Sequence, residues 1–121
     1  ALAYPIGSEY HLPHGRALSV VLPATMKAVF IACPSKFFEL AKAIGLTIPQ
    51  LSVWQVGEAT AEGMRTLAKL VKLPTRLSEV GADRSRIPDW AEAAYREQRL
   101  LTNTPRTLSR EDIAEIFENS F

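Results

Sequence analysis

Ser52-Val-Trp-Gln-Val-Gly-Glu-Ala-Thr-Ala-Glu-Gly-Met-Arg-Thr-Leu-Ala-Lys-Leu-Val-Lys-Leu73, followed at once by Pro74, decides what kind of fold this chain adopts. Val53, Val56, Thr60, Met64, Leu67, Leu70 and Val71 recur at steps of three and four, so they line one face of an amphipathic helix. Ser52 and Gln55 have the spacing of a capping box, in which each side chain pairs with the other residue's backbone N–H, and Pro74 stops the run. Gly57 and Gly63 inside the helix each weaken it by about 1 kcal/mol relative to Ala. They are read as sites where a neighbouring helix comes close.

Working outward, every other long segment also reads as helix. Pro88 suits a first helical turn, where its missing N–H would be unpaired, and Asp89 complements the positive end of the helix dipole. That helix is expected to carry Trp90, Ala91, Ala94, Tyr95 and Leu101 inward, with Glu92 and Arg96 as an outer i,i+4 pair. The last helix opens at Ser109 with Asp112 as its reciprocal cap and buries Ile113, Ile116 and Phe117. A shorter one runs from about Ser35 to Ile44 and ends at Gly45. Arg16 to Ala32 is ambiguous by periodicity alone; without a second strand nearby to pair with, a buried helix is the expectation. Thr47 to Leu51, Ser78 to Ile87 and Thr102 to Leu108 are polar or proline-bearing and read as loops. The fold class is all-α, a helical bundle.

With 121 residues, 47% of them hydrophobic and 22% charged, the chain has the material for one domain with its own core. The net charge of +1 is spread over well-mixed acids and bases, which argues against a nucleic-acid partner. The apolar run from Val20 to Cys33 is broken by Pro23, Thr25 and Lys27, so no membrane span is expected, and no signal peptide is visible. The one cysteine, Cys33, reads as a buried reduced thiol, which suits a cytoplasmic protein. The start at Ala1, already in patterned apolar sequence, reads as a cut edge. Trp54, Trp90, Tyr95, Met26 and Met64 fall on helical spacings and are read as packing residues, and Asn103 to Arg106 as a turn from which Arg106 can clamp another segment.

Both histidines lie in one short stretch, Tyr10-His-Leu-Pro-His-Gly15. His11 and His14 have a spacing that can place two imidazoles on one metal, and it also occurs often by chance. The bland reading is one solvent histidine and one hydrogen-bonded near a helix start. Pro13 fixes the entry into the following helix, and Gly15 leaves room beside His14. Tyr10 is divided evenly between a substrate entrance and simple packing.

Ala3-Tyr-Pro-Ile-Gly7, then Tyr10 to Gly15, then Ala17 to Pro23 and Met26, resemble the signature of the iron-containing alcohol dehydrogenases. That family's landmarks read a-x-P-[LI]-G, then Y-[HN]-x-P-H-G, then a helix ending L-L-P and a methionine. Ala41 to Gly45, Leu70 to Pro74, Leu77, Gly81, Ile87-Pro88, Ala94, Asn103 to Arg106, Leu108 and Glu111 to Ile113 are similar to its later landmarks, so the resemblance covers the whole chain. It implies that residues 1–121 are the carboxy-terminal, all-helical, metal-side domain of the dehydroquinate synthase-like fold, without the α/β domain that binds NAD(P).

The family holds Fe(II), sometimes Zn(II), through one aspartate and three histidines. The resemblance places His14 at the last of these positions and the other three upstream of Ala1. His11 becomes a neighbour in the cleft. Tyr4 stands where many members carry a further active-site histidine, and Arg16 stands where small or aliphatic residues are common. Arg16 reads first as a solvent-facing helix residue and second as a contact for an anionic substrate. The implied activity is hydride transfer between a small alcohol and its aldehyde or ketone, with the 121 residues alone inactive and binding metal weakly at most. The rival is a free-standing helical interaction module without redox chemistry. In either case an exposed apolar surface is expected to drive homo-oligomerisation.

Overall fold

Seven α-helices and three short 3-10 turns make up the regular structure of residues 1–47 and 51–121, which the computed structural model describes, and no strand occurs among them. The helices are α1 (Ala3–Glu9), α2 (His14–Val29), α3 (Pro34–Ala43), α4 (Val53–Leu70), α5 (Ile87–Arg96), α6 (Gln98–Leu101) and α7 (Arg110–Glu118). The all-helical class is therefore as the periodicities required. Of the loop expected over Thr47 to Leu51, residues 48–50 lie outside the described residues.

α2 is the central element, packing against α1, α4 and α7, while α3 leans on α4 and α5 packs between α1 and α7. Its inward face is built from small and β-branched residues, Ala17, Val20, Val21, Ala24 and Val29, so neighbouring backbones approach closely. The segment His14–Ala32 is long and apolar enough to cross a bilayer by length and composition, but half of its most apolar window is buried inside the fold. Its hydrophobicity is spent on packing. The helix continues through Pro23, whose ring removes the N–H that would bond the Ser19 carbonyl. The Ser19 hydroxyl lies 2.6 Å from the Pro74 carbonyl and 2.9 Å from the Arg16 carbonyl as donor, and the shorter contact ties α2 to the chain leaving α4.

The caps follow the sequence closely. The Ser52–Gln55 and Ser109–Asp112 boxes both close reciprocally, and Gly45 ends α3 with φ +79°. Pro88 sits in the first turn of α5, and Glu92 pairs with Arg96 at 2.9 Å and with Arg110 at 2.8 Å. Gly57 and Gly63 are the close approaches expected: a Cβ at the first would meet the Phe30 ring at 2.5 Å, at the second Ile44 Cδ1 at 2.8 Å. Arg106 does clamp another segment, donating to the Ala28 carbonyl at 2.9 Å and to Asp112.

Other expectations are corrected. Residues before His11 form a helix, α1, because Pro5 lies in its first turn, where no N–H is needed, and Ala3 and Ile6 bury against α2. α4 ends at Leu70 rather than Leu73: Lys72 takes a left-handed conformation (φ 59°) and Leu73 N–H bonds back to the Ala68 carbonyl, a Schellman closure on a non-glycine residue. The helix from Pro88 does not reach Leu101; it breaks at Glu97 and restarts as α6, which alone carries Leu101 inward. Tyr95 is 40% exposed and Trp54 63% exposed, so neither is core, and Leu70 and Val71 are 75% and 60% exposed at the end of α4. Cys33 is half-buried, its Sγ against the Val29 carbonyl at 3.9 Å. The stretch from Ser78 to Ile87 is mostly 3-10 turn, Leu77–Val80 and Arg84–Arg86, with Leu77 fully buried.

Candidate functional site

The candidate site is the corner where α1 turns into α2. α1 closes as a Schellman motif, with Leu12 N–H donating to the Gly7 carbonyl at 3.0 Å and His11 in the left-handed position (φ 51°) that glycine usually fills. Pro13 is extended (φ −52°, ψ 142°), and its carbonyl accepts from the N–H groups of Arg16 and Ala17, which starts α2 at His14. His14 is thus the first helical residue and lies exposed at the end of α2. The Tyr4 ring, also exposed, lies 5.9 Å from the His14 ring at an angle of 48°.

The corner is braced from the far side by α5. Glu9, the last residue of α1, accepts from Arg86 Nε at 3.0 Å and Nη2 at 3.3 Å, and from Trp90 Nε1 at 2.9 Å. These donors, Arg86 first and Trp90 second, hold the Glu9 carboxyl below the usual carboxylate range. Arg86 also pairs with Asp89. Tyr10 packs here: its ring meets Trp90 edge-on at 5.9 Å, and its hydroxyl accepts the Asp83 backbone N–H at 3.1 Å.

Of the sequence candidates, then, Tyr4 and His14 are brought together, and Tyr10 is committed to α5. His11 forms the turn between them. Arg16 is exposed two residues beyond His14 and lines a shallow cleft of about 350 Å³ with Lys69, Lys72 and Glu79. Glu9 and Arg86, which hold the corner in place, were not among the candidates. They are 77 residues apart, and no local pattern links them.

Among the described residues no group of three or more His, Cys, Asp or Glu side chains could hold a metal ion. One exposed imidazole makes no chelate. These residues therefore do not chelate a metal by themselves.

A family model described as "Fe-containing alcohol dehydrogenase family, C-terminal" matches residues 1–121. The chain is 31% identical over 121 residues to the 1,3-propanediol dehydrogenase of Citrobacter freundii, covering 100% of this chain and 31% of that protein. It is 28% identical over 120 residues to the lactaldehyde reductase of Escherichia coli (strain K12), covering 99% of this chain and 31% of that protein. The solved alcohol dehydrogenase from Oenococcus oeni superposes with a TM-score of 0.90 at 29% identity, over 99% of this chain and 31% of that one. The chain thus spans just under a third of the length of these relatives.

Proposed function

Because the chain belongs to the Fe-containing alcohol dehydrogenase family, matching its C-terminal part, we propose that it is the helical, metal-side domain of an oxidoreductase. The whole enzyme would move hydride between a small alcohol and its aldehyde or ketone, with NAD(P) as the hydride carrier. The observation that carries this reading is His14: an exposed imidazole at the first position of α2, inside the stretch that resembles the family's metal-binding signature. Relatives named for 1,3-propanediol and lactaldehyde support a small substrate.

In the whole enzyme His14 would serve as one imidazole donor, with its partner ligands supplied from outside residues 1–121. Fe(II) or Zn(II), held by His14 together with donors outside residues 1–121, would supply a Lewis acid for the alcohol or carbonyl oxygen. The chain's own contribution is positional. Pro13 sets the start of α2, the Glu9–Arg86–Trp90 brace fixes the corner, and Tyr4 and His11 border the cleft beside His14. The 121 residues alone present one donor, so they are inactive and bind metal weakly at most.

The test uses the full natural polypeptide that carries this chain. It should hold stoichiometric iron or zinc after dialysis and reduce NAD⁺ or NADP⁺ with short-chain diols or alcohols. His14→Ala should lower both metal content and turnover by at least tenfold while leaving the unfolding temperature within a degree or two, since His14 is exposed. Undiminished metal in His14→Ala removes His14 as a ligand. Absence of any alcohol-dependent reduction in the metal-loaded protein removes the reading.

One observation favours the second reading, an interaction module. The apolar residues Leu67, Leu70 and Val71 stand exposed together at the end of α4, and a stripe of this kind promotes association of copies. Sedimentation of the purified chain should give a dimer that Leu70→Glu with Val71→Lys converts to monomer. A wild-type monomer at high concentration rules this face out.

A further inference from the structure

The end of α4 and the first turn of α2 are pinned together by one side chain. The Ser19 hydroxyl lies 2.9 Å from the Arg16 carbonyl and 2.6 Å from the Pro74 carbonyl, so the Arg16 backbone is held beside the chain that follows Lys72. The shallow cleft of about 350 Å³ opens over this junction. Its volume falls within the range of about 300–1,000 Å³ usual for small-molecule sites. Neither His14 nor Tyr4 lines it, and nothing in the reading of the histidine corner uses it.

Three exposed cations face this cleft, Arg16, Lys69 and Lys72. Elsewhere on the surface cations are paired, Arg84 with Glu118, Arg86 with Glu9, and Arg96 and Arg110 with Glu92. The three of the cleft make no ion pair and no side-chain hydrogen bond among the described residues. Its one carboxylate, Glu79, is turned to Thr75, accepting from the backbone N–H at 3.2 Å and from the hydroxyl at 3.1 Å. With the charge of Glu79 counted, the cleft keeps a surplus of two positive charges.

Helix capping does not account for these cations. Lysines near a helix C-terminus often bond its free carbonyls. At α4 the backbone itself takes three of them: Leu67 accepts from the Val71 N–H at 3.3 Å, Ala68 from Leu73 at 2.9 Å and Lys69 from Lys72 at 3.0 Å. Arg16 lies in the first turn of α2, the positive end of the helix dipole, where a cation is disfavoured and no acidic residue accompanies it. Like charges from two helices thus meet over one cleft, and an anion between them offsets their repulsion. The rest of the wall, Leu73, Pro74 and Val80, is apolar.

We propose that this cleft binds the phosphate group of a small phosphomonoester, held by Arg16, Lys69 and Lys72, with a short carbon body against Leu73, Pro74 and Val80. A phosphomonoester is close to a dianion above its second pKa of about 6, which matches the surplus charge, and it gathers three acceptor oxygens around one atom. The arginine fork takes two oxygens, and each lysine acts as a point charge. Lys69 and Lys72 stand three residues apart at the end of α4, and Arg16 is pinned beside Pro74, so their long side chains converge on one group. The site is separate from the histidine corner, and its occupancy does not depend on the redox reading.

The experiment is calorimetric titration of the full natural polypeptide at about pH 8, where the phosphoester is a dianion, and at constant ionic strength, with glycerol 2-phosphate, acetate and neutral glycerol. Glycerol 2-phosphate should bind this site one to one, with acetate and glycerol at least tenfold weaker. Arg16→Gln should raise its Kd at least tenfold, and so should Lys69→Gln with Lys72→Gln. Arg99→Gln, which removes an exposed cation outside the cleft, should leave the Kd unchanged and so separates a site from general charge attraction. His14→Ala should also leave it unchanged, which separates this cleft from the proposed metal corner. All the substituted side chains are exposed, so the melting temperatures should stay within a degree or two of the wild type. Absence of heat with glycerol 2-phosphate, equal binding of acetate, an unchanged Kd in either cleft variant, or an equal loss in Arg99→Gln or His14→Ala overturns the proposal.

Discussion

Gly57→Ala sets two physical effects of opposite sign against each other at one buried position. Helix propensity alone predicts a gain of about 1 kcal/mol for replacing glycine by alanine inside α4. Packing predicts a loss. The new Cβ would lie 2.5 Å from Phe30 Cδ2, 2.6 Å from Cγ and 2.8 Å from Cε2, against an ordinary carbon contact of about 3.5–4.0 Å. The Phe30 ring would have to retreat by about 1 Å. It is buried, and Phe37 and Trp54 meet it edge-on at 6.0 and 5.1 Å, so a rigid aromatic ring must move as a unit against its neighbours. Overpacking costs about 1–3 kcal/mol, and displacing a whole buried ring takes the upper part of that range, about 2–3 kcal/mol. The net expectation is a loss of about 1–2 kcal/mol, and a fall in Tm of roughly 3–8 °C for a domain of this size. Gly63→Ala is the internal control, since its Cβ would meet the terminal Cδ1 of Ile44 at 2.8 Å and Leu46 Cδ1 at 3.4 Å, both ends of flexible side chains that can rotate away. That change should be within about 0.5 kcal/mol of neutral or mildly stabilising. Thermal and urea unfolding followed by circular dichroism measure both. A Gly57→Ala protein that melts at or above the wild type refutes the argument that Gly57 is there for Phe30.

Other expectations are independent of that one. Glu9 and Asp112 both have carboxyls held below the usual range, Glu9 by Arg86 and then Trp90, Asp112 by the Ser109 backbone N–H before Arg106. Their stabilisation is complete above the unfolded carboxylate pKa of about 4 and is lost as pH falls through the depressed folded values. Glu9→Gln should therefore flatten the acid limb of stability against pH, and an unchanged acid limb counts against the brace. Arg106→Met should cost about 1–2 kcal/mol, because it removes the donors to the Ala28 carbonyl and to Asp112; a neutral result in urea unfolding would show that the clamp holds nothing. His11→Gly and Lys72→Gly relieve left-handed backbone at non-glycine residues and should each stabilise by about 0.5 kcal/mol, the αL penalty less the entropy of glycine. The two sites share no described contact, so the gains should add in the double variant, and a loss at either position would contradict the Schellman assignment.

Much of the fold was legible because it is encoded within a few residues of itself. The Ser52–Gln55 and Ser109–Asp112 boxes, Pro88 in a first turn and Gly45 at a helix end each depend on neighbours three or four positions away, and each is found in place. The errors have a common cause. The periodic stripe on α4 runs past the point where the rest of the fold stops, so Leu70 and Val71 carry the right spacing for burial with nothing to bury against. Tyr95 fails for the same reason. α1 is not legible in the sequence because seven residues containing Pro5 and Gly7 lie below the length at which a helix announces itself, and it is the burial of Ala3 and Ile6 on α2 that stabilises it.

The sequence by itself determined that the chain is helical, where most of its helices begin, and that its two histidines share one turn, because caps, periodicity and spacing act along the backbone at short range. Only the tertiary structure decided which of those residues face one another. It set His14 beside Tyr4, turned Tyr10 toward Asp83 and Trp90, and joined Glu9 to Arg86 across 77 residues. It also shielded from solvent the Nε of Arg65, which lies 3.7 Å from Glu62. Such contacts arise when whole helices pack, and no pattern of neighbours along the chain records them.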